Sequence, residues 1–188
     1  MSKHLVIFYN KEQDFVTQVA DFLAKGLAQG ESCVVIATQT HRDAIAAELV
    51  ARGKDLSADA YLALDAEATL ERYMVAGRPN AERFAQTMEP VLERMSQGGR
   101  KRLHLFGEMV ALEFEAGKTE VAIRIEELWN VLAKGHEFAL LCAYPIGQAS
   151  RMRDYVSLIR ACAEHQQAVV PSELWTATHL PAPEVRQA

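Results

Sequence analysis

The sequence lacks the features of secreted and membrane-spanning proteins. Its 188 residues include three cysteines, an odd number that does not make a disulfide framework and that suits a reducing compartment. No apolar run approaches the roughly 18 residues that a membrane-spanning helix needs. The N-terminal stretch has neither a long apolar core nor the small-residue cleavage site of a signal peptide. We therefore expect a cytoplasmic protein.

An excess of positive charge is missing as well. Lysine and arginine together number 20 against 25 aspartates and glutamates, which gives a net charge of −5 with neutral histidines. Proteins that bind nucleic acid without sequence preference usually carry a basic domain or stripe, so we expect no direct nucleic-acid partner. What the chain does have is 49% hydrophobic residues over the length of one domain, enough to bury a core without a disulfide or a metal.

Short apolar runs predict strands that are buried on both faces of a parallel sheet. The runs are rich in β-branched and aromatic residues and almost free of charge, which is typical of a sheet covered by helices on both sides. Within one of them, His104 lies between two leucines and is predicted to point away from both. The predicted strands are His4–Tyr9, Ser32–Thr38, Ala60–Leu64, Leu103–Phe106 and Glu137–Tyr144.

Amphipathic segments alternate with these runs and predict helices. This alternation indicates an α/β domain, and we expect a three-layer α/β/α fold with a mostly parallel central sheet. Residues 168–175 predict either a short edge strand or a loop, because Pro171 interrupts them. The first predicted helix begins at Asn10 as a cap, with Gln13 as its capping-box partner, and the second begins at Thr40. The third helical region, Ala66–Gln97, has a break at Gly77–Pro79 and a new start at Asn80. The last two helices are predicted to begin at Thr119 and to cover Gln148–Gln166.

The carboxyl ends of the predicted strands are the expected place for a ligand, because open α/β sheets bind ligands in the crevice beyond those ends. Glu108 is the strongest candidate there, since a carboxylate placed directly after a buried strand is costly unless it is paired or used. Two interpretations stay open: a rim that binds a small molecule, or ordinary polarity where the chain turns. The residues delivered to this rim are Tyr9, Asn10, Thr38, Gln39, Asp65, Gly107, Glu108, Cys142 and Tyr144.

Motifs for nucleotides and for common catalytic chemistry are absent. The turn after the first strand contains no glycine between Tyr9 and Gln13, so neither a P-loop nor a dinucleotide-binding loop is present. We expect no cofactor. Cys162 and His165 have the spacing of two metal ligands on a helix, but no second ligand pair accompanies them, and we expect no metal site. The alternative to ligand binding at this rim is that Glu108 acts as a general acid or base in catalysis.

Several short motifs, in their order and spacing, resemble the MEDS domain, a sensory domain named from methanogens, methylotrophs and a dichloromethane-responsive regulator. The resemblance covers about residues 3–172. The motifs are H-L-V-I-F-Y at 4–9, G-L-A-Q-G-E at 26–31, R-x-x-x-x-G-E-M at 102–109, L-C-A-Y-P at 141–145, and C-A-E-H at 162–165 followed by V-V-P.

The resemblance implies a RecA/KaiC-like α/β domain without a P-loop that senses small, hydrocarbon-like molecules. Members of this family are often fused to histidine kinase, receiver or DNA-binding modules. The residues that match the family and are implied to line the ligand pocket are His4, Tyr9, Glu31, Glu108, Cys142, Tyr144 and His165.

By this resemblance we expect one sensory domain over residues 1–175 and a C-terminal tail over 176–188. Because no output module follows in the sequence, we expect the domain to act in trans on a signalling protein such as a histidine kinase or a transcriptional regulator. Two alternatives stay open: a divergent nucleotide-binding or hydrolytic enzyme that uses Glu108, and an interaction module that forms a homodimer or docks on a partner.

Overall fold

A computed structural model describes residues 3–145, 165 and 167–169 of the chain. Its centre is a six-stranded sheet in which every pair of neighbouring strands is parallel. The strands of this sheet are β1 (Lys3–Tyr9), β2 (Ser32–Ala37), β3 (Tyr61–Asp65), β6 (Leu103–Gly107), β7 (Phe138–Pro145) and β8 (Gln167–Val169), in the spatial order β3-β2-β6-β7-β1-β8.

Helices cover both faces of the sheet, so the α/β prediction with three layers and a parallel sheet is confirmed. One face packs against α1 (Glu12–Ala28) and α2 (Gln39–Ala51). The other packs against α3 (Ala66–Tyr73), α4 (Ala81–Met95), α5 (Met109–Glu115) and α6 (Thr119–Leu132). We call these the α1/α2 face and the α6 face.

Burial on both faces explains the near-continuous apolar character of the strands. All six residues of β2 and all five of β6 are buried. Side chains alternate between the two faces along each strand. In β6, Leu103 and Leu105 enter the core of the α6 face, whereas His104 contacts Gly26 and Phe22 of α1. The prediction that His104 points away from its two leucine neighbours is confirmed.

The break at residues 77–79 is a tight hairpin between α3 and α4. Strands β4 (Met74–Val75) and β5 (Arg78–Pro79) pair antiparallel, with Ala76 and Gly77 at positive φ in the turn. Asn80 then caps α4, its side-chain oxygen accepting the N–H of Arg83 at 3.0 Å. Both the interruption and the cap agree with the prediction.

Two predicted helix starts are wrong, and one helix was not predicted. The first residue of α1 to accept a helical hydrogen bond is Lys11, from the N–H of Phe15, so Asn10 and Gln13 form no capping box. The cap of α2 is Thr38 rather than Thr40. Helix α5 follows β6 after one residue. It was not predicted because its residues continue the apolar run of β6 and show no helical periodicity of their own.

Some predictions concern residues outside the described part of the chain: the helix over 148–166 (apart from residue 165), Cys162, and the tail at 176–188. The predicted edge strand at 168–175 overlaps β8, which pairs with β1 at the edge of the sheet. None of the helices in the described ranges combines the length and apolar character that crossing a bilayer requires.

Candidate functional site

Glu108 lies at the carboxyl edge of the sheet, directly after β6, and its side chain is 4% exposed. One carboxylate oxygen accepts the backbone N–H of Thr38 at 2.8 Å. Thr38 is the cap of α2, and its own side chain makes no capping hydrogen bond. Glu108 thus does for α2 what the glutamate of a capping box does within a single helix, from a position far away in the sequence. The helix dipole favours a carboxylate at this end.

The second oxygen of Glu108 is hydrogen-bonded to Nδ1 of His41, in the first turn of α2. The other ring nitrogen of His41 pairs with the carboxylate of Glu12, in the first turn of α1. Exposure rises along this chain of groups, from 4% for the Glu108 side chain to 15% for His41 and 61% for Glu12. We call this arrangement the edge triad, and it connects a buried carboxylate to solvent through one imidazole.

Electrostatics around the edge triad favour a protonated imidazole. The hydrogen bond that Glu108 accepts from the imidazole raises the pKa of His41; burial opposes the shift, and the charges of Glu108 and Glu12 add to it. Burial, with the charges of Glu108 and Glu12 nearby, raises the pKa of Glu115 at the end of α5. Burial chiefly raises the pKa of Tyr9, so this phenol stays protonated.

Aromatic rings form the wall beside the edge triad. The ring centroid of Phe15 lies 4.7 Å from that of His41 and 4.7 Å from that of Tyr9. Both rings are buried in the core of the α1/α2 face. A small molecule arriving from solvent would first meet Glu12 and His41, with the aromatic rings beneath them. Apolar side chains beside a few directed polar groups are typical of small-molecule sites.

A second polar cluster lies on the α6 face, centred on the fully buried carboxylate of Glu126. Four side chains approach its oxygens: the phenol of Tyr144 at 2.8 Å, Nε2 of His4 at 3.1 Å, Sγ of Cys142 at 3.2 Å and Nε2 of His165 at 3.3 Å. We call Glu126 and these four residues the core cluster. It joins β1, β7, α6 and the residue that comes shortly before β8.

The register of the sheet brings the strand residues of the core cluster together. Strand β1 pairs with β7 so that Val6 lies opposite Cys142 and Phe8 opposite Tyr144. Because side chains alternate, His4, Cys142 and Tyr144 all face α6. The ring centroids of His4 and His165 lie 4.0 Å apart.

Charges inside the core cluster shift pKa values strongly. Burial alone would raise the pKa of Glu126, but the charge and hydrogen bond of His165 and those of His4 outweigh it and hold the pKa well below its usual range. Burial, the charge of Glu126 and the hydrogen bond to it raise the pKa of Cys142 well above its usual value. Glu126 is therefore a carboxylate and Cys142 a thiol.

The pocket residues implied by the family resemblance fall in three separate places. Tyr9 and Glu108 lie at the carboxyl edge, while the remaining strand residues and His165 gather in the core cluster. Glu31 belongs to neither, because it precedes β2 at the opposite edge and pairs with Nδ1 of His104 at 2.7 Å.

Sequence reasoning missed Glu126, His41, Glu12 and Asn130. The sequence did contain a pattern that could have identified Glu126, since this residue lies on the buried face of α6, four residues after Ala122 and three before Trp129. A glutamate in the middle of an apolar helical face needs a buried partner. His41 and Glu12 had no comparable signal, because each looks like an ordinary polar residue in the first turn of a helix.

Comparison with known protein families gives a match that covers most of the chain. A family model described as "MEDS: MEthanogen/methylotroph, DcmR Sensory domain" matches residues 3–166 of the chain. A comparison with curated proteins gives no match.

Proposed function

Because the chain belongs to the MEDS family of sensory domains, we propose that it senses a small organic molecule at the edge triad and passes the signal to a partner protein. The observation that carries the proposal is the bridging imidazole of His41, held between the buried carboxylate of Glu108 and the exposed carboxylate of Glu12. It lies where α/β sheets bind ligands.

The edge triad suits a ligand with an apolar body and one hydrogen-bonding group. The polar group competes with Glu12 for His41, and displacement of Glu12 gives the apolar body access to the buried rings of Phe15 and Tyr9 beneath the imidazole. A small hydrocarbon derivative with an acceptor oxygen, such as a short-chain alcohol or aldehyde, has this chemistry, which agrees with the ligand class that the family resemblance implies.

Signal transfer follows from the elements that the edge triad joins. Glu12 is the first residue of α1 and His41 lies in the first turn of α2, so a ligand that displaces Glu12 removes the link between the first turns of two neighbouring helices. A ligand changes a conformational equilibrium only by its difference in affinity for the two states. Here the bound state lacks the link between Glu12 and His41. The recipient in this proposal is a histidine kinase or transcriptional regulator, reached in trans, and the domain itself does no catalysis.

Thermal-shift measurements with a panel of short-chain alcohols, amines, aldehydes and carboxylic acids test the ligand site. We expect at least one probe to raise the melting temperature of the wild-type protein and to lose that effect in His41→Gln. The matched control is His136→Gln, because His136 lies just before β7, at the other edge of the sheet. If no probe acts, or if His41→Gln responds like the wild type, the proposal fails.

A hydrolytic enzyme is the second candidate function. The pairing of His41 with the buried Glu108 is the observation in its favour, since a carboxylate that orients an imidazole is the positioning half of a general-base arrangement. Calorimetry with magnesium ATP and assays with model esters and phosphoesters separate the two functions. Turnover that is lost in Glu108→Gln would favour the enzyme, and binding without turnover favours the sensor.

A further inference from the structure

We propose that the core cluster is a site for one divalent transition-metal ion, bound by the imidazoles of His4 and His165, the thiolate of Cys142 and the carboxylate of Glu126. One potential ligand atom from each of these residues lies within 4.8 Å of all the others. The site is separate from the edge triad, so this inference goes beyond the proposed sensing of a small molecule.

The spacing of the donor atoms agrees with tetrahedral coordination. Zinc–ligand bonds of about 2.0–2.3 Å place neighbouring donors about 3.3–3.8 Å apart. The observed separation between Nε2 of His4 and Sγ of Cys142 is 3.5 Å. Oε2 of Glu126 lies 3.1 Å from Nε2 of His4 and 3.2 Å from Sγ of Cys142, and Oε1 lies 3.3 Å from Nε2 of His165. Binding one ion through a single Glu126 oxygen therefore requires the carboxylate or the His165 ring to turn, in a cluster whose ligand atoms all lie within 4.8 Å of one another.

The surroundings of His4 orient it as a metal ligand. Its Nδ1–H donates to the side-chain oxygen of Asn130 at 2.8 Å. This bond leaves the lone pair of a neutral imidazole on Nε2, the nitrogen that faces Cys142 and Glu126. Metal-binding histidines commonly donate their second ring N–H to a fixed acceptor in this way.

Charge balance also favours an ion. A divalent cation, one thiolate, one carboxylate and two neutral imidazoles sum to zero, the least costly arrangement for a fully buried group of charges. Binding the ion releases the proton of the Cys142 thiol to solvent, and no oxidation or reduction is involved. Mixed nitrogen, sulfur and oxygen donors at tetrahedral spacing select zinc over calcium or magnesium.

A bound ion would tie the C-terminal part of the sheet to its centre. The ligands come from β1, α6 and β7, and His165 comes two residues before β8, the edge strand that pairs with β1. Four protein ligands close the coordination sphere, which is typical of a structural zinc site rather than a catalytic one.

Cobalt substitution of the purified full chain tests the site. After treatment with a chelator, the protein is titrated with Co²⁺ and with Zn²⁺ in competition, and the bound metal is quantified by mass spectrometry. We expect one equivalent of Co²⁺, with the visible absorption of a tetrahedral ion and the near-ultraviolet charge-transfer band of a thiolate ligand. The Cys142→Ser variant should lose the charge-transfer band.

The matched control is Cys33→Ser, since Cys33 is buried in the core of the α1/α2 face, and this variant should keep the band. Asn130→Ala leaves all four ligands in place and should weaken binding about 10–100-fold. It also keeps the test valid if Cys142→Ser does not fold, as judged by far-ultraviolet circular dichroism. Wild-type protein that takes up no stoichiometric Co²⁺, or binds it without a thiolate band, overturns the proposal.

Discussion

The pKa values of His41 and His104, two histidines that pair with glutamates, are shifted in opposite directions by their surroundings. At His41, the hydrogen bond that the imidazole donates to Glu108 dominates and raises the pKa. At His104, burial dominates and lowers the pKa, although Glu31 and its hydrogen bond act in the other direction. The surroundings therefore favour the charged form of His41 at the carboxyl edge of the sheet and the neutral form of His104 at the opposite edge.

The raised pKa of His41 predicts a pH-dependent contribution to stability. The protonated form is favoured in the folded protein, so the contribution is complete below the unfolded-state pKa of 6.5 and is lost as the pH rises through the higher folded-state pKa. NMR titration should give His41 a pKa above 6.5, and Glu108→Gln should lower it. The control Glu127→Gln changes an exposed carboxylate paired with Arg124 and should leave the titration unchanged. A His41 pKa at or below 6.5 would contradict this prediction.

The contact between Gly26 and His104 predicts an unusual cost for alanine in a helix. A Cβ atom at Gly26 would lie 2.6 Å from Cγ of the His104 ring, which also packs against Phe22. Alanine normally stabilises a helix interior relative to glycine by about 1 kcal/mol. Here overpacking should reverse the sign, and we expect Gly26→Ala to destabilise the protein by about 1–3 kcal/mol.

Urea denaturation measures this effect, and a double-mutant cycle with His104→Ala identifies its cause. The second substitution removes the ring, so the cost of Gly26→Ala should largely disappear in that background. Gly135→Ala is the control, because its nearest contact would be 3.9 Å away. An equal cost of Gly26→Ala with and without the ring would disprove the steric explanation.

At the scale of elements, helix caps come from two kinds of partner. Asn80 caps α4 through a residue three positions along the chain, and Asp65 caps α3 in the same local way. Helix α2 instead receives the carboxylate of Glu108, the residue that follows the neighbouring strand β6. Local caps can be predicted from the sequence, whereas a cap delivered by another strand depends on the sheet order.

This difference predicts unequal effects of two cap substitutions. Asn80→Ala removes the side-chain acceptor of α4 and should cost about 1 kcal/mol of unfolding free energy. Thr38→Ala should cost clearly less, because the Thr38 side chain makes no capping hydrogen bond. Equilibrium denaturation of both variants beside the wild type gives the comparison. Equal costs for the two substitutions would contradict the role assigned to Glu108.

Strands and long helices were predictable because burial imposes a strong pattern on them. Strands β1, β2 and β7 begin and end within one residue of the predicted runs. Helix α5 was not predictable from periodicity, since buried residues such as Met109, Val110 and Ala111 continue the apolar character of β6 without a polar face to reveal the turn.

At the scale of the whole molecule, the sheet is the common wall of two separate cores. The core of the α6 face contains Val34 and Ile36, and the core of the α1/α2 face contains Cys33 and Val35, from the same strand. Because the same strands supply side chains to both cores, a strand that leaves one core also exposes the side chains that it buries in the other. Unfolding is therefore expected to be cooperative across both faces.

Coincident unfolding curves would support this expectation. In a Trp175→Phe background, the fluorescence of Trp129 reports on the α6 face, where its side chain is buried. Its denaturant midpoint should equal that of far-ultraviolet circular dichroism, as for a two-state domain. A fluorescence transition at a clearly different denaturant concentration would indicate that the two faces unfold separately.

The candidate sites could be predicted only in part, because their partners are distant in sequence. Glu108 was identifiable from its position after a buried strand, yet its partner His41 lies 67 residues away and Thr38 lies 70 away. Likewise, His4 meets Asn130 across 126 residues. A strand pattern indicates which residues are buried, but only the strand order and register decide which of them meet.

Strand β1 contributes to both sites, with opposite ends and opposite faces. His4 faces α6 and enters the core cluster, while Tyr9, about 17 Å further along the strand, faces α1 beside the edge triad. Deleting a single residue between them would turn one of the two to the wrong side of the sheet. We therefore expect β1 of this chain to tolerate exchange of one apolar side chain for another, whereas a change in its length would separate the two sites from each other.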